Sequence, residues 1–99
     1  FFKTFIYYYQ VIILKERLIN EYVNRMNLDD VNKFALQNGI NLKDDELKLI
    51  FTYIKNDWRT ICFGNPRGIL DDLKRKLDCN SYSKIESLYT SFRNRYSSF

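Results

Sequence analysis

The chain has no histidine, and only one proline, three glycines and two cysteines among its 99 residues. Each shortage narrows the chemistry available. Without histidine, the side chain most often used as a general base near neutral pH is missing, and so is the usual nitrogen ligand of zinc. Cys62 and Cys79 match no metal or redox spacing, and no serine or cysteine sits in a nucleophile elbow. The glycines form no phosphate cradle, since Gly64-Asn65-Pro66-Arg67-Gly68 is neither a P-loop nor a dinucleotide fingerprint. A bilayer-spanning run is also missing. The most apolar stretch, FFKTFIYYYQVIIL, falls short of the roughly 20 residues needed and is interrupted by Lys3 and Gln10. It lacks the basic start and small-residue cleavage site of a secretory signal. Free thiols and a cytoplasmic setting are therefore expected, with no cofactor and no metal.

What is present describes one soluble globular domain: 45% hydrophobic and 28% charged residues over a length that suits a single modest core. The 17% aromatic share is almost wholly Phe and Tyr. It accompanies many Ile, Lys and Asn residues, as AT-rich codons would produce, so it is not taken as the mark of a binding face. The net charge of +4 is unevenly placed, with seven bases balancing seven acids up to residue 54 and nine bases against five acids beyond it.

Residues 1–13 form an apolar, aromatic N-terminal extension, and residues 14–99 a single helical domain. The extension has three readings: a segment packed on the core, a truncated membrane anchor, or upstream sequence read through a misplaced start. The third is favoured, because a leucine codon such as that of Leu14 can serve as an alternative bacterial start and the sequence changes character there. If the run belongs to the protein, it should continue the helix that follows it.

Hydrophobic periodicity then predicts an all-α, five-helix, bundle-like domain containing a helix–extended link–helix unit. Helix one, residues 14–26, carries Leu14, Leu18, Tyr22 and Met26 in steps of four, widened by Ile19 and Val23 into a core stripe. Helix two, residues 29–38, opens at Asp29-Asp30, turns Val31, Phe34 and Ala35 inward and closes on Gly39, with Ile40 folding back onto it. After an extended link, helix three, residues 44–63, presents Leu47, Ile50, Phe51, Ile54 and Trp58 and is expected to be central. Helix four, residues 66–77, starts from Asn65-Pro66 and buries Ile69, Leu70, Leu73 and Leu77. Helix five, residues 83–96, is capped by Ser81 or Ser83, Glu86 completing a capping box with Ser83, and uses Ile85, Leu88, Tyr89, Phe92 and Tyr96. Ser97-Ser98-Phe99 forms a frayed end.

The acidic clusters Asp29-Asp30, Asp44-Asp45-Glu46 and Asp71-Asp72 each fall near a predicted helix start. Dipole compensation and capping explain them without a metal site. Lys74, Arg75 and Lys76, joined with Arg67, Arg93 and Arg95, are the candidates for contact with an anion or nucleic acid.

The stretch LDDVNKFALQNGINLKDDELKLIFTYIK, with the Pro-initiated helix and the closing KIESLYTSF, resembles a family of short helical proteins of low-GC Gram-positive bacteria. The similarity runs from about residue 14 to the C-terminus. It implies a helical fold and a cytosolic setting, and no activity. A second similarity is to helix–extended loop–helix modules of DNA- and chromatin-associated proteins, although Asp44-Asp45-Glu46 puts acid where such a module presents base. The leading expectation is a non-enzymatic protein–protein interaction module with a protein partner. The alternative is a weak nucleic-acid-binding module using the basic C-terminal half.

Overall fold

A computed structural model describes the backbone of residues 2–96 and the side chains of residues 13–94. Tyr96 of the expected helix-five stripe, the side chains of residues 1–12 and the closing tripeptide lie outside these. Five helices follow one another: α1 (Phe2–Arg25), α2 (Leu28–Gln37), α3 (Asp44–Phe63), α4 (Arg67–Lys76) and α5 (Cys79–Tyr96). The domain is all-α and bundle-like, with extents of 49 × 24 × 23 Å. A helix of 24 residues spans about 36 Å, more than either short dimension, so α1 runs with the long axis. Its backbone runs as one helix through the aromatic extension. Among the described residues, no helix is long and apolar enough to cross a membrane.

The starts of α2, α4 and α5 differ from the sequence reading, at α2 and α5 because the side chain of a neighbouring residue caps the helix instead of the expected one. Asn27, not the Asp29-Asp30 pair, starts α2: its Oδ1 accepts from the Asp30 amide while the Asp30 carboxylate accepts from the Asn27 amide, a reciprocal capping box. Helix α5 begins four residues before Ser83. Asp78 accepts from the Asn80 amide and starts the helix, which leaves Ser83 inside it and Glu86 bound to the Tyr82 hydroxyl. The Ser83–Glu86 box does not form. At α4 the shift is one residue, with Pro66 at the cap and Asn65 accepting from the Arg67 amide.

The end of α2 follows its sequence signal. Gly39 takes φ 73°, the Ile40 amide reaches back to the Ala35 carbonyl at 2.8 Å and the Gly39 amide to Leu36 at 3.0 Å. This is the double bond pattern of a left-handed helix stop, and Ile40 is buried. At Gly64 the need is for space, because an added Cβ would stand 3.1 Å from the Thr60 Cα.

Helix α3 is central. It packs on α1 and α2, bonds α4 through Tyr53 to Asp72 and α5 through the Tyr89 hydroxyl to the Ile61 carbonyl. A break in helical geometry at Asp57 (φ −126°, ψ 22°) separates its two halves just before the buried Trp58. Leu49, Ile50 and Tyr53 of α3 pack on Leu73, Leu77 and Tyr82, with Ile69 and Ile85 around them. Val23, Met26, Val31, Ala35 and Ile40 are the other buried apolar residues of α1, α2 and the link. Phe34 and Phe92, expected inside, are exposed.

Glu46 is the buried charge of this core, 6% exposed. One carboxylate oxygen accepts from the Lys43 amide and the other from the Asp78 amide, both at 2.9 Å. The first bond closes the N-terminus of α3, and the second ties it to the link between α4 and α5. Replacing Glu46 by alanine leaves both amides without acceptors and is expected to cost about 3 kcal/mol, with Glu46→Gln costing less. Urea denaturation measures both.

Asp72 accepts from the Tyr53 hydroxyl and pairs with Arg75 and Lys76 at 3.2 Å each. The Tyr53 bond, ahead of the two cations, holds its carboxyl below the usual range, and the same bond raises the Tyr53 hydroxyl. The depressed carboxyl contributes stability that is complete above its unfolded value near ~3.9 and is lost as pH falls through the folded one. The raised phenol contributes below about pH 10 and loses that contribution as pH rises through its folded value. Stability should therefore decline at both extremes. Asp72→Asn should flatten both limbs in urea midpoints measured across pH.

Candidate functional site

A row of side chains spaced by four does not stay on one side of a helix. Each step of four residues advances the row by about 40° around the axis, so three steps turn it by about 120°. Leu14, Leu18, Tyr22 and Met26 make such a row, and only its end reaches the core. Met26 is buried, whereas Leu14, Leu18 and Tyr22 are 57%, 66% and 68% exposed. The expectation of a core stripe through all four is corrected accordingly. The buried side of α1 is built by Ile19, Val23 and Met26, which lie within about 60° of one another.

Helix α3 holds α1 in this orientation. The Lys55 ammonium donates to the carbonyls of Val23 and Asn24, at 2.5 and 3.1 Å, closing the C-terminal turn of α1. Arg59 stacks over the Trp58 ring at 4.4 Å and pairs with Glu16 at 2.9 Å. These contacts fix the roll of α1 and leave the Leu14, Leu18 and Tyr22 side pointing outward. Scattered single apolar residues on a surface need no explanation, but three on consecutive turns form a stripe. Each would contribute about 1.5–3 kcal/mol if fully buried.

The stripe runs into a groove of about 380 Å³ where α1 meets the start of α2, lined by Leu18, Glu21, Tyr22, Arg25, Met26 and Asp30. Phe34, itself 55% exposed, stands one helical turn beyond Asp30 on the same side of α2. The site is therefore an apolar strip with charged margins, and its chemistry is that of docking.

The basic residues are placed differently from one another. Arg93 donates from one guanidinium nitrogen to the carbonyls of Ile61, Cys62 and Gly64 at 3.2, 3.3 and 3.2 Å, and lies over the Tyr89 ring at 5.9 Å. It closes the C-terminus of α3. Arg75 and Lys76 both face Asp72, and Lys76 also borders Asp45 and Glu46. Arg67 opens instead onto the α4–α5 cleft, which it shares with Arg93, Asp71 and Glu86. Lys74 is exposed on α4, about 20° around the helix from Arg67. The side chain of Arg95 lies outside the described residues. The structure thus brings Arg67 and Arg93 to one cleft, turns Lys76 to another side, and surrounds each group with carboxylates.

Lys84 donates to the Gly39 carbonyl at 2.8 Å behind α2. Nothing in its spacing marks that role, because the acceptor lies 45 residues away.

Arg93→Ala is expected to destabilise the fold by about 2 kcal/mol, since the Cys62 and Gly64 carbonyls lose the guanidinium and Ile61 keeps only the Tyr89 hydroxyl. Arg67→Ala should stay within about 0.5 kcal/mol. Thermal or urea unfolding of the two variants separates the structural arginine from the surface one. No family model, curated protein or solved structure matches this chain, so the reading of the site rests on its own geometry.

Proposed function

We propose that this chain is a non-enzymatic, cytoplasmic protein–protein interaction module that engages its partner through the Leu14, Leu18 and Tyr22 face of α1. The observation that carries the reading is the exposure of three large apolar side chains on consecutive turns of a helix whose roll is fixed from behind by Lys55 and Arg59. A face of this kind is selected for contact, because solvent exposure of the same side chains offers no stability.

The disposition of charge supports a protein partner over a nucleic acid. A polyanion is held by cations concentrated on one surface. Here Lys55, Lys84 and Arg93 are engaged by backbone carbonyls, and Arg75 and Lys76 by Asp72. The absence of histidine supports the non-enzymatic part of the proposal.

The test is site-specific photo-crosslinking in the native cell. A photoreactive residue replacing Leu18 should form a discrete protein adduct, while the same residue replacing the exposed Thr52 of α3 should not. Identical patterns from the two positions, or no adduct from position 18, would refute the reading.

A further inference from the structure

The exposed stripe is flanked by charges, and their order identifies the kind of helix that fits against it. Arg17 and Glu21 are both exposed, lie about 40° apart on one margin of the stripe, and form no ion pair with any described residue. Within the helix they stand in the less favourable i, i+4 order, base before acid, in keeping with their separation.

We propose that the partner on this face is a second copy of the chain, with the two α1 helices antiparallel about a two-fold axis at Leu18. This rests on the reading of the stripe as a docking surface and names its occupant. A two-fold axis perpendicular to the helices carries each margin onto the same margin of the other copy, running in the opposite direction. A base followed by an acid then meets an acid followed by a base. With the axis at Leu18, Leu18 meets its own copy and Leu14 comes level with Tyr22 of the second chain. Arg17 falls about 3 Å along the axis from Glu21 of the second chain, within reach of an arginine side chain. The pairing is reciprocal, so it occurs twice, once on each side of the axis. Self-complementarity of this kind is what an isologous interface requires, and two-fold dimers are the commonest soluble oligomers.

The remaining features of the face agree with this arrangement. The apolar strip is continuous over the turns nearest the axis, Arg17 and Glu21 lie on one margin, where ion pairs set register and orientation, and Arg25 enters the strip only two turns beyond the axis. Asn20 and Asn24 place no net charge beside them.

Sedimentation equilibrium or light scattering on the full chain is the test. The purified protein should have twice the 12.0 kDa chain mass, and Leu18→Glu should make it monomeric with its helical circular dichroism unchanged. Arg17→Glu and Glu21→Arg should each weaken dimerisation roughly tenfold, because each places like charges together at both symmetric positions. The double variant R17E/E21R should restore it. A chain that is monomeric at all concentrations, or a dimer indifferent to Leu18→Glu, would overturn the proposal. So would a double variant weaker than either single one. If the chain is monomeric while position 18 still crosslinks a different protein, the docking face stands and the second copy alone is excluded.

Discussion

The carbonyl groups at helix ends set the main constraint on this molecule. Each helix leaves its last carbonyls without internal partners, and a domain of this size has little core in which to hide the deficit. The chain meets the requirement across helices. Lys55 of α3 closes α1, Lys84 of α5 closes the turn after α2, and Arg93 of α5 closes α3. Each bond sets a cation against the negative end of a helix dipole while fixing where one helix lies against another. Glu46 does the converse at an N-terminus, using one carboxylate for two amides far apart in sequence.

This division of labour explains why a chain with an excess of basic residues need not present a basic surface. Of the bases from the second half of α3 onward, Lys55, Lys84 and Arg93 serve as cross-helix caps, and Arg75 and Lys76 are held by Asp72. What remains on the outside is the apolar side of α1, where the interior gains nothing from the side chains and an exterior partner would. On the reading proposed above, stability and recognition fall to opposite sides of the same helix.

The number of helices, their order and the central place of α3 were legible because 3.6-residue periodicity and the Gly39 and Gly64 stops are local signals. Trp58, Leu73 and Leu77 are buried as their spacing implies. Boundaries were legible only where the cap belonged to the expected residue type at the expected place. Asn27 and Asp78 won over neighbouring acids and serines because their side chains actually reach the amides. The outward row on α1 was in the sequence too, since Ile19, Val23 and Met26 offered a tighter cluster than a strict spacing of four. The cross-helix caps were not legible, because they join residues 29 to 45 apart and lysine or arginine at those positions carries no local signature.

The placement of two of these caps on α5 has a consequence for how the molecule comes apart. Ser81 also holds the Asn41 carbonyl, so the first turns of α5 grip the link after α2 while Arg93 grips the end of α3. Detaching α5 would strip partners from both places in one event. Opening of the last helix should thereby be coupled to opening of the interior, so that amide exchange in α2, α3 and α5 would report one cooperative unit. Helix α1 is tied to the same interior through α3, by Lys55 to the Val23 and Asn24 carbonyls and by Arg59 to Glu16, so its outward side can meet a partner without any change to those ties.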